Sequence, residues 1–354
     1  MYLASCHHAG RDLVVLRWGN DALVPVDELL PAPLASGASA LADGMLALIT
    51  AGPEVHQALG RAANALTRRD HALGPVDTAP LPADIRTIPI ADVRWHPPVR
   101  RPGKIVGVAM NNSASDARKI SAPNHPMFFL KPRSSLLGHL NELEIRSYYG
   151  SVHPEPELAV IIGKSARDLD PRSALDCVFG YTIMNDVTGN GMRSQDRVHY
   201  YALYAGETDS TQVEKREQHL SYAARYKGTD GFAPLGPWLV TRDEIPDPGI
   251  LDVICKVGAD VVAQDSTRYL TYSVPEILAF LSRFQTLEPG DVISMGTAFR
   301  QQAGAKRSLH SADLQRVEGP MQVEITGLGT LITPVRRKQM ELGDWQLPTL
   351  PRDI

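Results

Sequence analysis

The chain has 354 residues, 43% of them hydrophobic, enough to bury a sizeable core as one large domain with a smaller one beside it. Lys and Arg total 36 against 40 Asp and Glu, a formal net charge of -4, so no broad basic field speaks for nucleic acid or an anionic membrane. Cys6, Cys177 and Cys255 are odd in number, widely spaced and without a CxxC pair, which argues against a disulfide framework or a thiolate zinc site and fits a reducing cytosol.

The first eight residues show no basic n-region followed by an apolar core, and no apolar run reaches the ~18 residues of a membrane span. The expectation is a soluble, cytoplasmic protein with neither nucleic acid nor membrane as a partner. Residues 1–98 alternate short apolar runs with Ala-rich stretches such as 40–51 and hold no catalytic constellation. They read as an N-terminal accessory domain. Trp95-His96-Pro97-Pro98-Val99-Arg100-Arg101-Pro102-Gly103 suits an extended linker, because proline and glycine disfavour element interiors.

Beyond this boundary, residues 104–108, 158–162, 181–184, 238–241, 251–257, 292–295 and 321–325 are short apolar or alternating runs bounded by turn residues, and read as strands. Helices are expected at 172–178, over the polar stretch 211–226, and at 274–284, where Val274, Ile277, Leu278 and Leu281 recur at helical spacing. Strands and helices do not alternate regularly, which favours an α+β fold with a β-rich mixed sheet over a doubly wound parallel one. The catalytic domain is placed at 99–335, and the charged, proline-ended tail 336–354 reads as a C-terminal surface extension.

His153-Pro154-Glu155-Pro156-Glu157-Leu158-Ala159-Val160 puts two carboxylates at i and i+2 at the entrance to an apolar strand, where a period of two points both to one face. Two anions so placed repel unless a cation lies between them. The prolines flanking Glu155 fix the local backbone and argue against a place in a central ladder. Alone, such a pair is more often a solvated strand edge. Asn185-Asp186-Val187-Thr188 follows the apolar run 180–184, so Asp186 stands at a strand end where it can project into a cleft. Three oxygen anions without His or Cys favour a hard cation, Mg2+ or Mn2+.

Lys227, in Arg225-Tyr226-Lys227-Gly228-Thr229-Asp230-Gly231, reads either as a helix-terminal lysine complementing the dipole or as an ammonium beside the carboxylates, where it could stabilise an enolate or oxyanion. Leu287-Glu288-Pro289-Gly290-Asp291 is turn punctuation before a strand that ends in Gly296-Thr297, whose N–H and hydroxyl could bind a carboxylate.

The order of these four patches resembles the catalytic domain of the fumarylacetoacetate hydrolase family over roughly residues 103–335. Further matches are Pro126-Met127-Phe128-Phe129-Leu130-Lys131-Pro132, Val160-Ile161-Ile162-Gly163, the stretch 232–241 and Gly327-Leu328-Gly329. The resemblance implies a mixed β-roll-like catalytic fold, a Mg2+ or Mn2+ ion on Glu155, Glu157 and Asp186, and a homodimer. It further implies Lys227 and Thr297 as catalytic residues of the pocket, with Lys131, Gly296 and Arg193 contacting the substrate.

The family contains C–C hydrolases of acylpyruvates and other β-diketo acids, and also decarboxylases, isomerases and dehydratases of related 2-oxo acids. Fold membership does not choose among them. Many hydrolytic members carry Asn-Tyr-x-x-His after the first strand of this domain, followed three residues later by Glu, a pair that activates water. This chain has Asn111-Asn112-Ser113-Ala114-Ser115 there, with Arg118 at the later position. His125, His199 and His310 are the candidates to replace the imidazole. After Thr188 the sequence Gly189-Asn190-Gly191-Met192-Arg193 departs from the usual Ala-Arg-Asp, a long polar segment follows at 198–222, and Asp230-Gly231 stands for the usual Asp-Thr.

The expectation is a metal-dependent hydrolase cleaving a C–C bond in a small acylpyruvate-like oxo acid. A lyase, decarboxylase, isomerase or dehydratase is the alternative, and an inactive binding protein comes third, since a scaffold has no reason to retain mutually repelling anions.

Overall fold

The computed structural model describes residues 1–30, 44–68, 77–78, 85–114, 119–297 and 312–340. Its centre is the strand Pro156–Ile162, buried at every position. A strand covered on both faces reads as a continuous apolar run rather than an alternating one. It pairs antiparallel with Val178–Asn185 on one side and with Val292–Ser294 on the other. The flanking prolines therefore do not exclude this segment from a central ladder. Pro156 is the first residue of the strand, a position where a missing N–H is tolerated.

The full sheet has twelve strands and runs Ile88–Pro89, Ala22–Pro25, Arg11–Trp18, Tyr2–His8, Ala233–Thr241, Val178–Asn185, Pro156–Ile162, Val292–Ser294, Ile105–Ala109 and Met127–Lys131, with two short strands alongside. Tyr2 and Leu3 pair with Val240 and Leu239, so the residues before 98 extend the same sheet that carries the later motifs. Leu3, Leu16 and Val24 share one buried cluster with Ala159, Ile161, Leu235 and Leu239. The stretch expected as a linker is tied to this sheet as well: Trp95 pairs with Cys6, and Ser5 Oγ donates to the Pro98 carbonyl at 2.7 Å.

A second sheet of four strands, Asp260–Ser266, Asp252–Val257, Met321–Ile325 and Gly329–Thr333, is antiparallel throughout. The helix Val274–Phe284 forms where the periodicity places it; Ser273 and Glu276 make a reciprocal capping box, and Val274, Ile277, Leu278 and Leu281 are buried. The architecture is the β-rich α+β fold expected, with few helices.

Two expected helices take other forms. Residues 172–178 contain only a short 3-10 turn, Ala174–Cys177. Most of 211–226 is the strand Val213–Ser221, paired over nine residues with Arg197–Ala205, and only Ala224–Gly228 is helical. Helix-prone Glu, Lys, Arg and Gln side chains yield here to cross-strand pairing, since propensity is a weak prior against tertiary context. The boundary at 335 falls inside a strand: Val335–Lys338 pairs in parallel with Leu143–Arg146, and Arg336 bridges to Glu142 at 2.8 Å and Glu144 at 2.9 Å. The rest of the tail, 341–354, lies outside the described residues. Among the described residues no helix is long and apolar enough to cross a membrane.

Candidate active site

Glu155, Glu157 and Asp186 meet at one end of the central strand pair, each offering a carboxylate oxygen within 4.8 Å of the others. The register explains the meeting. Pro156 lies opposite Asn185, and the Asp186 N–H donates to the Glu155 carbonyl at 2.8 Å, which draws the aspartate alongside the first glutamate. Asn185 completes the clasp by accepting the Glu155 N–H on its side-chain oxygen at 2.8 Å.

Two lysines neutralise much of this charge. Lys227, on the short helix Ala224–Gly228, places Nζ 2.7 Å from Glu155 Oε2 and 2.5 Å from Asp186 Oδ2, over the face of Phe129 at 5.3 Å. Lys131, at the end of Met127–Lys131, donates to Asp186 Oδ1 at 2.5 Å and to the Lys227 carbonyl. Its side chain is fully buried, so Lys131 backs Asp186 rather than facing a substrate, contrary to the expectation for it.

Gly296 and Thr297 do bind carboxylates, but those of the protein itself. The Gly296 N–H donates to Glu157 Oε2 at 3.1 Å, and the Thr297 hydroxyl lies 3.1 Å from both Glu155 Oε2 and Glu157 Oε1. One hydroxyl carries one proton, so Thr297 donates to one glutamate at a time. Gly296 takes φ of +93°, and a Cβ there would stand 2.8 Å from Asn111 Cβ; the position requires glycine on both counts. Ser294 donates its hydroxyl to Glu157 Oε2 from the neighbouring strand.

The electrostatics follow from burial. Desolvation raises the Glu157 carboxyl to about 8, with the neighbouring charges of Asp186 and Glu155 acting in the same direction. Burial also opposes ionisation of Glu155, but the Lys227 ammonium and His153 outweigh it and hold this carboxyl well below the usual range. Burial and the charge of Lys227 together lower Lys131, whereas Asp186, Glu155 and Glu157 overcome burial and raise Lys227.

Sequence reasoning passed over the two residues that orient Glu155. His153, 1% exposed, lies with Nε2 3.0 Å from Glu155 Oε1. Asn190 Nδ2 lies 2.8 Å from the other imidazole nitrogen, Nδ1. An amide donating to Nδ1 leaves the proton on Nε2, so the imidazole donates to the carboxylate. The i−2 spacing from Glu155 was visible in sequence; the part played by Asn190 was not.

Arg193 does not join this group: it is exposed, with its guanidinium 5.8 Å from the Tyr226 ring. His125 stacks on Phe280 at 5.6 Å, His199 lies on the exposed hairpin, and His310 is outside the described residues. Asn111 is structural. Its amide donates to the carbonyls of Tyr272 and Met295 and accepts the Tyr272 N–H, while Asn112 donates to Asp265.

Comparisons with known proteins bear on the fold that carries this cluster. A Burkholderia multivorans (strain ATCC 17616 / 249) protein, provisionally named a hydrolase, is 33% identical over 236 residues, covering 65% of this chain and 73% of its own. The fumarylacetoacetate hydrolase from the psychrophile Exiguobacterium antarcticum superposes with a TM-score of 0.68 at 25% identity, over 96% of this chain and 100% of the other. The maleylpyruvate hydrolase of Sphingobium sp. SYK-6, solved with manganese (II) ion and pyruvate, shares the fold with a TM-score of 0.66 at 24% identity, again over 96% and 100%. The family model described as fumarylacetoacetate (FAA) hydrolase C-terminal matches residues 104–336, and the chain belongs to that family.

Proposed function

We propose that this chain is a divalent-metal-dependent hydrolase that cleaves a C–C bond in an acylpyruvate or another β-diketo acid. The observation that carries the reading is the buried convergence of Glu155, Glu157 and Asp186 with Lys227 and Thr297. The donor set fits a hard cation. All three donors are carboxylate oxygens, and the cluster is short of positive charge even with two lysines, since Glu157 is pushed toward its protonated form. Glu155, Glu157 and Asp186 would hold Mg2+ or Mn2+, which supplies the charge that polarises the carboxylate and keto oxygens of a 2-oxo acid. The Sphingobium protein of the same fold, which holds manganese (II) and pyruvate, supports this choice of ion and substrate class.

The chain's own groups supply the rest. Glu155 and Lys227 keep 14% and 10% side-chain exposure, whereas Glu157 and Asp186 are almost fully enclosed, so a substrate approaches along the Glu155–Lys227 side. In the hydrolysis, water adds to the distal carbonyl carbon and the bond to the methylene carbon breaks. Its electron pair passes into the pyruvate enolate, beside which the Lys227 ammonium provides a fixed positive charge. Protonation of that carbon then completes pyruvate and a free acid. Lys131 and Ser294 hold Asp186 and Glu157 in place, and His153 with Asn190 fixes the direction of Glu155.

A second reading, a lyase, decarboxylase, isomerase or dehydratase of a related 2-oxo acid, draws on one observation. At the positions of the family's water-activating imidazole and glutamate the sequence has Ser115 and Arg118, neither of which is a general base; both lie outside the described residues. Reactions through an enolate without attacking water need no base there. The test is incubation of metal-stripped protein with a panel of acylpyruvates and 2-oxo acids, with and without Mg2+ or Mn2+, and product identification by mass. Metal-dependent pyruvate plus free acid supports the hydrolase. Loss of CO2 or water, or isomerisation without cleavage, supports the second reading, and turnover indifferent to metal would sink both. The homodimer remains part of the proposal, and light scattering of the purified chain checks it.

A further inference from the structure

The long polar segment at 198–222 folds as a ribbon of two strands, Arg197–Ala205 and Val213–Ser221, paired with each other and, among the described residues, with no other strand. Such a ribbon is marginally stable on its own. On one of its faces His199 and His219 are direct cross-strand partners, with ring centroids 3.9 Å apart and planes within 12°. Glu217 lies two residues from His219 on the same face. Both imidazole Nε2 atoms address a single oxygen, Glu217 Oε1; the His219 nitrogen lies 3.6 Å away and the His199 nitrogen is closer, in hydrogen-bond contact.

We propose that His199, Glu217 and His219 form a second metal site, for a transition-metal dication of the Zn2+ class, distinct from the carboxylate cluster. The chemistry of the donors points away from Mg2+, because two imidazoles and one carboxylate are the ligand types of Zn2+ and its neighbours. The spacing agrees. Tetrahedral bonds of ~2.0–2.1 Å set donor atoms roughly 3.4 Å apart, and the three donors here all lie within 4.8 Å of one another. Parallel rings cannot both point in-plane at one ion, so they fan apart on binding, a rotation open to exposed side chains.

The charge environment separates this trio from a similar one in the fold. His7, Asp12 and His96 also converge, but Arg100 stands 2.5 Å from Asp12 Oδ2 and supplies the positive charge that a metal would bring. Among the described residues, the ion pairs of Glu217 run only to the two imidazoles. An ion on the trio joins positions 199 and 219 across the ribbon and closes the loop between them, which stabilises a hairpin that joins no larger sheet among the described residues. The ribbon stem is fixed separately by Arg225, which binds Asp196 at 2.8 Å, and leads directly into the helix carrying Lys227.

The test is calorimetric titration of the full chain with Zn2+ in two backgrounds, native and Glu157→Gln, each with and without the pair His199→Ala and His219→Ala. The isosteric glutamine disables the carboxylate site without removing volume, and the two histidines are exposed, so the variants retain the fold. The expected result is loss of one Zn2+ equivalent on removing the histidines in either background, with that equivalent still present in Glu157→Gln alone. Zn2+ uptake that is unchanged by the histidine substitutions, or absent in Glu157→Gln alone, overturns the proposal. Neither outcome touches the carboxylate site, whose own test is turnover with Mg2+ or Mn2+.

Discussion

Lys227 Nζ stands 2.5 Å from Asp186 Oδ2, and the same ammonium reaches Glu155 at 2.7 Å. The lysine thus bridges two of the three carboxylates proposed to hold the metal. Replacing it by methionine keeps the aliphatic stem and removes the charge. We expect kcat to fall by about 10²–10³-fold, the cost of losing one preorganised electrostatic donor. Metal affinity should hold or rise, because a competing cation has left. Steady-state kinetics beside a Mn2+ titration separates the two effects, and parallel loss of metal binding would contradict this role.

Glu157 is as enclosed as Asp186 and is held by Ser294, Gly296 and Thr297. Glu157→Ala should weaken Mn2+ binding by more than the ~10–100-fold typical of outer-sphere changes and abolish turnover. Full activity in a variant shown by equilibrium dialysis to bind no metal would remove the proposed site.

The pH dependence has a definite sign. An unfolded glutamate titrates near ~4.3, whereas Glu157 in the metal-free fold is raised to about 8. Between those values the folded chain holds a proton that the unfolded chain has released. Stability of the metal-free protein should therefore fall as pH rises through this window. A metal ion displaces that proton, so affinity should climb with pH and level off above about 8. Calorimetry at pH 7 in buffers of different ionisation enthalpy should detect proton release on Mg2+ binding; none would refute the assignment.

His153 acts on Glu155 rather than on substrate, being buried and bonded at both ring nitrogens. His153→Ala should lower Mn2+ affinity by about 10–100-fold. Substitution of Asn190 by Ala should act in the same direction through the imidazole. A fall in kcat with metal affinity intact would instead put His153 in contact with the reacting groups.

Much of this was legible before any coordinates. The two glutamates at i and i+2, the aspartate after the run 180–184 and the lysine in Arg225-Tyr226-Lys227-Gly228 all end in one cluster, because alternation along a strand and the end of its neighbour are local signals. The helix Val274–Phe284 was readable from its apolar spacing for the same reason. What escaped depended on partners far along the chain. Lys131 carries no mark that it would be enclosed behind Asp186, and Asn190 none that it would orient His153. The strand Val213–Ser221 was misread because its polar residues favour a helix locally, and only its pairing with Arg197–Ala205 decides otherwise.

The insertion of Tyr2–His8 beside Ala233–Thr241 also bears on how the chain acquires its shape. Tyr2 must wait for Val240 to be synthesised before it can pair. Contacts of such long sequence separation are slow to close. The first strand is thus made long before its partner and, on this side, settles late. Until it docks, Ala233–Thr241 lacks its pairing at Leu239 and Val240, an open stretch of edge that is a template for pairing with another molecule. Expression of residues 99–354 alone would make that transient hazard permanent.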